Sequence, residues 1–355
     1  MDHSEIAQKR LAAQHIEGQK FKKPEQVVRW MGAMQAQNYP QALWAIGKRM
    51  ESATQAQVEQ AIAEGKIIRT WPMRGTLHFI APEDSKWLLA LTSPRMLASS
   101  KGRLNQLELD DAVLQQSAEI FQQALNGGSR LSRADMMNLL ENSGIRVDGQ
   151  RGYHILWYWS QKGLICLGPL EAKQQTYVLL EEWAPQAKEL MREEALLELA
   201  KRYFISHGPA ALRDFAWWCG LPMKDVRLAL ELAKPFLVSE EVDGAEYWFS
   251  GDSPIPANDS SLHLLPAFDE YLLGYTNRSA VLPVEYSGKV VPGKNGVFFP
   301  IIVEDGQVTG TWKKEIARKS IAFEFNPFSP ERDLPASWQK EAEAFSNFLG
   351  MPMTL

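Results

Sequence analysis

The sequence predicts a mainly α protein with β structure (α+β): three tandem winged-helix modules, then a C-terminal small β-barrel or curled sheet with a terminal helix. Three observations predict it. Helical apolar spacing followed by two short strand-like runs around a turn occurs three times, a structural repeat without a fixed sequence period. After the polar stretch 250–261 the texture changes to strand-like runs. At 355 residues and 45% apolar content the chain exceeds one ordinary domain and can fill several cores. The expected divisions are 1–120, 121–185 and 186–255 for the three modules and 256–355 for the β-rich domain.

In the first module, residues 24–34 carry Val27, Val28, Trp30, Met31 and Met34 at helical spacing. A second helix is expected over 41–50. A third opens at Thr54 as N-cap, with Val58, Ala61 and Ile62 on one face. Runs 67–72 and 76–80 flank Arg74-Gly75 and read as a hairpin. The second module opens a helix at the N-cap Ser132. Its aromatic helix 152–162 (Tyr153, Trp157, Tyr158, Trp159) stops at Gly163, and strands follow at 164–167 and 176–180. The third has a long helix 188–206 stopped by His207-Gly208-Pro209, helices 210–219 and 223–233, and strands around Asp243-Gly244. The β-rich part has strands at 263–266, 296–303, 307–312 and 321–325, a hairpin turn at 304–307 and a helix over 338–349. Trp217-Trp218 and the cluster Tyr153, Trp157 and Trp159 read as core.

Composition excludes several classes. No apolar run approaches the ~18 residues of a membrane span. The start, Met1-Asp2-His3-Ser4-Glu5, does not read as a secretory leader. Two distant cysteines, Cys166 and Cys219, build neither a disulfide framework nor a thiolate metal site, so a reducing cytoplasm is expected, and no metal or other cofactor. Phosphate-cradling, zinc-protease and serine-hydrolase motifs do not occur. The net charge of −5 argues against a nucleic-acid partner, but its distribution does not. Between Lys66 and Arg103 stand seven basic residues (Lys66, Arg69, Arg74, Lys86, Arg95, Lys101, Arg103) against Glu83 and Asp84.

The most informative stretch runs from Met34 to Ala45. Two amides one residue apart, Gln35 and Gln37, sit at a helix junction beside Tyr39 and Trp44. Gln is costly to order and carries up to four hydrogen-bonding positions. The triplet alone proves little, because Gln55-Ala56-Gln57 stands in an ordinary polar helix. Four further stretches supply context: Arg74-Gly75-Thr76-Leu77-His78, Phe215 to Pro222, Leu264 to Tyr275, and Asn295-Gly296-Val297-Phe298-Phe299-Pro300. With the Gln-x-Gln triplet, and in this order along nearly the whole chain, they resemble the azinomycin-resistance (AlkZ-like) DNA glycosylases, a winged-helix family that removes alkylated purines from DNA. The resemblance implies tandem winged-helix modules shaped for DNA and a β-rich C-terminal part. Gln37 places the chain on the Gln-x-Gln side of the family, apart from relatives with Asp there.

Such an activity would hydrolyse the N-glycosidic bond of cationic N7-alkylated purines in duplex DNA, with unhooking of interstrand crosslinks as an extension. The charged base leaves neutral and needs no strong general acid. A Gln carbonyl can orient water at C1′ or face the developing cation, which is positioning with preorganised dipoles. Gln35 and Gln37 are the expected catalytic pair. Arg69, Arg74, His78, Lys294 and Asn295 are the expected DNA contacts, although a lone His on an apolar strand is as readily a core group. Asp269 and Glu270 read as caps rather than as acids that orient water. The basic run 312–319 flanks DNA or solvates a strand. The alternative is a non-enzymatic winged-helix DNA-binding regulator, against which stands the lack of a heptad dimerisation helix. A monomer is expected.

Overall fold

The structure, a computed structural model, describes residues 1–252, 261–293, 296–318, 320–329 and 336–354. Its packing groups the chain into two units: residues 1–58 with 196–355, and residues 59–195.

In the unit 59–195, strands Ile68–Met73 and Thr76–Ile80 pair antiparallel, with Thr70 opposite His78. The turn residues Arg74 and Gly75 both have positive φ, 53° and 71°, the geometry of a tight hairpin turn that follows strand twist. Ile68–Met73 also pairs with Ile165–Glu171, which pairs with Gln174–Leu179 and through it with Leu131–Ser132. Ser132 N-caps Arg133–Asn142 through a reciprocal capping box with Asp135. Arg151–Gln161 ends at Gly163, φ 73°. Phe121, Met136, Leu140, Ile155 and Trp157 fill the core beside the sheet. The span 81–125, read from sequence only as charge, is largely two helices, Ser85–Gln106 and Asp111–Leu125.

The other unit holds most of the remaining elements. Arg192–His207, Leu212–Cys219 and Met223–Ala233 precede the hairpin Val238–Val242 and Ala245–Phe249, whose turn residues Asp243 and Gly244 again have positive φ. The strand Ala210–Ala211 joins this hairpin as a third strand. The C-terminal sheet is open and curled rather than a closed barrel. Its order is Leu262–Leu265, Ile301–Glu304, Gln307–Ile316, Ile321–Pro327 and the short parallel edge Met353–Thr354. Helix Ala336–Leu349 packs on it, and Phe345 stacks edge-on against Trp312 and Trp44. Gly47 permits this approach, since a Cβ there would meet the Phe348 ring at 2.6 Å.

Several expected bounds move. The strand expected over 296–303 begins only at Ile301, and the long helix begins at Arg192. Residues 253–260 of the polar linker and Lys319 lie outside the described residues. Trp218 is buried as expected, but its neighbour Trp217 is 46% exposed, because consecutive helical positions point about 100° apart. Tyr153 is also exposed. Among the described residues no helix is long and apolar enough to cross a membrane.

Candidate active site

The helix Pro24–Met31 starts with Pro24 in its first turn and buries Val27, Val28 and Met31 on one face. The apolar spacing continues to Met34, yet the helix stops at Gly32, whose φ of 75° suits a residue without a Cβ. Ala33–Gln35 then runs extended. Asn38 caps the next helix, Tyr39–Gly47, with Pro40 in its first turn. The Gln-x-Gln triplet therefore occupies an extended connection between two helix ends. Gln35 is half-buried and Gln37 exposed.

A second motif holds this connection. The stretch Leu264 to Tyr275, more than 200 residues further on, bonds the connection at one place and the helix that follows it at two. The Gln35 backbone N–H donates to Glu270 Oε1 at 3.0 Å. The Ala267 N–H donates to Gln41 Oε1 at 3.1 Å, and the Trp44 indole N–H to the Leu264 carbonyl at 3.0 Å. The motif is braced in turn. Phe268 has φ 61°, a left-handed conformation costly for a non-glycine residue. Asp269 caps Glu270–Leu273 by accepting from the Tyr271 N–H, and it receives both ends of the Arg49 guanidinium at 2.8 and 2.9 Å. Arg49 and Asp269 are both buried. Such a bidentate pair is directional as well as strong.

Glu270 is buried beneath the connection. Its second oxygen accepts the Trp218 indole N–H at 3.1 Å and lies 3.5 Å from His207 Nε2. Burial pushes the His207 imidazole below its ordinary pKa, and Glu270 opposes this only in part. His207 also stacks on Tyr203 and lies 2.8 Å from the Ser206 hydroxyl. The side-chain oxygen of Gln35 is itself buried with no hydrogen-bond partner among the described residues.

The remaining candidates fall in different places. In the unit 59–195, His78 is fully buried, its Nδ1 donating to the Thr76 carbonyl at 2.9 Å. That leaves Nε2 as acceptor, 3.4 Å from Arg74 Nη2, so Arg74 and His78 are brought together across the hairpin turn. Arg69 is buried and donates to Gln175 Oε1 at 2.7 Å. Lys294 and Asn295 lie outside the described residues. The second triplet resolves as structure: Gln57 and Thr54 form a reciprocal capping box. Sequence reading missed Glu270, His207 and Trp218 as partners of the Gln35 connection. Trp218 and Glu270 do stand in two of the motifs that carry the resemblance, and this was the available signal.

Gln35 and Gln37 thus share one extended stretch, and the buried motif holds the Gln35 backbone. The sequence model of the family described as DNA glycosylase AlkZ-like matches residues 28–348, so the chain belongs to that family and is an enzyme acting on N-glycosyl bonds of DNA. The chain is 24% identical to a Streptomyces sahachiroi protein named interstrand DNA cross-link repair glycosylase, over 94% of this chain and 92% of that one. Its fold matches the solved structure of S. sahachiroi DNA glycosylase AlkZ with a TM-score of 0.83 at 22% identity, covering 100% of this chain and 99% of the other.

Proposed function

We propose that this enzyme is a monofunctional glycosylase for cationic N7-alkylated purines in duplex DNA, with Gln35 and Gln37 as its catalytic residues. The observation that supports this most is the Gln35 amide: a buried acceptor oxygen with no donor to it among the described residues, on a backbone clamped by a carboxylate. Such an oxygen suits a water held against C1′ or the positive charge that develops on the sugar. Exposed Gln37 would complete the water's position or touch the lesion. Neither amide can take a proton as a general base, so the reaction would suit only bases already charged and ready to leave.

The same reading assigns the helix and hairpin groups to three winged-helix modules, in segments 1–120, 121–185 and 186–255, ahead of the β-rich segment 256–355. Arg74, at the hairpin turn, would contact phosphate and would be steadied by His78. Arg69 would have to release Gln175 to do so. Lys294 and Asn295 would probe the lesion. The enzyme would act as a cytoplasmic monomer without a cofactor. Unhooking of interstrand crosslinks is proposed as an extension, supported by the name of the S. sahachiroi relative.

The test is base release from three duplexes, carrying 7-methylguanine, O6-methylguanine or a nitrogen-mustard crosslink between N7 positions. Release from the first and third only is expected. Release of the neutral O6-methylguanine at a comparable rate would overturn the mechanism, and no release from any would overturn the substrate class.

A further inference from the structure

We infer that Glu270 is the positioning residue of this glycosylase, acting on the reaction through the backbone of Gln35; the inference rests on the catalytic reading of Gln35 above. Glu270 begins a four-residue helix whose N-cap role already belongs to Asp269, so capping does not require it. It is 1% exposed, where a carboxylate carries a large desolvation cost unless strongly hydrogen-bonded. An apolar side chain at that site would pack at lower cost. What the carboxylate adds is direction. One oxygen takes the Gln35 N–H at 3.0 Å, and the other takes the Trp218 N–H at 3.1 Å with His207 Nε2 at 3.5 Å.

Three separate segments thus meet on one planar group. The helix Leu212–Cys219 supplies Trp218, the end of Arg192–His207 supplies His207, and the connection after Gly32 supplies Gln35. Trp218 is itself fully buried and packs against Tyr203, with ring centroids 5.0 Å apart. A fixed acceptor beneath the Gln35 peptide sets the plane of that peptide and so the direction of its side chain. The side-chain oxygen ends buried, with no donor to it among the described residues. The buried carboxylate thus adds a directional fixed point to a strand of only three residues.

The test is a double-mutant cycle in the full chain, read as single-turnover rate and half-saturation on whichever duplex the wild type cleaves. Glu270→Gln keeps the size but turns an NH₂ toward either the Gln35 N–H or the Trp218 N–H. It is expected to lower the rate about 10- to 100-fold, within the range of a lost preorganised contact. Half-saturation should stay unchanged, and the variant should have no further effect on a Gln35→Ala background. Trp218→Phe, which removes one donor from the second oxygen without touching the Gln35 bond, should give a smaller loss of the same kind, and it serves if Glu270→Gln does not fold. A loss that multiplies with that of Gln35→Ala, or an unchanged rate in the folded variants, overturns the assignment and leaves Gln35 catalytic. Full activity of Gln35→Ala overturns the catalytic reading, and the inference with it.

Discussion

At the scale of residues, the chain places buried charge where an apolar side chain would pack at lower cost. Arg49 is fully buried, shares the Asp269 carboxylate through two hydrogen bonds, and also donates to Gln14 Oε1 and the Ala45 carbonyl. Such a network contributes little net stability while intact, but breaking it strands a charge. Arg49→Met should therefore cost about 3–5 kcal/mol of unfolding free energy in urea titrations. A loss near zero would mean that Asp269 finds water. This part of the molecule was half legible. Adjacent Asp and Glu read correctly as a cap at Asp269. Sequence does not show that Glu270, one position on, turns inward to meet residue 35, because that contact depends on chain more than 200 residues away.

Elements were legible where local chemistry decides them. Arg74-Gly75 and Asp243-Gly244 each turn a hairpin, and Ser132 and Thr54 each cap a helix, because these need only neighbours in sequence. They were illegible where a periodic pattern outruns its element. Met34 continues the spacing of Val27, Val28 and Met31, yet Gly32 ends the helix and Met34 lies in a strand. In the opposite sense, Pro94 and Gly102 disguise the 22-residue helix Ser85–Gln106, which persists because its Trp87, Leu88, Leu91 and Leu104 are buried. The hairpin supplies a prediction that separates fold from function. Arg74 has φ 53°, which Asn tolerates better than Arg. Arg74→Asn should leave the melting temperature unchanged or slightly raised, yet weaken DNA binding and reduce its salt slope by about 1. An unchanged salt slope would remove Arg74 from the phosphate contacts.

For the whole molecule, buried imidazoles set the response to acid. Burial pushes His207, His263 and His15 below the ordinary imidazole value, against partial opposition from Glu270, Glu17 and the Gln19 carbonyl respectively. Between the depressed folded values and the unfolded value of about 6.5, the unfolded chain binds more protons. The stability these groups confer is complete above that pH and is lost as pH falls below it. Glu17 and Glu341, held below the usual carboxylate range against the effect of burial, add a loss of the same sign at lower pH. The urea midpoint should therefore fall between pH 7.5 and pH 5.5, and a midpoint that rises would contradict the burial of these groups. Charge at this scale is the feature sequence conveys least: the chain is net −5, with its basic excess between Lys66 and Arg103.

The most direct measurement is the single-turnover release of 7-methylguanine from duplex DNA by wild type, Gln35→Ala and Gln37→Ala, each shown to be folded by circular dichroism. Release by the wild type, with a loss of about 10²–10³-fold in each variant, is the predicted result. Release that survives in both variants would place the chemistry elsewhere and contradict the account.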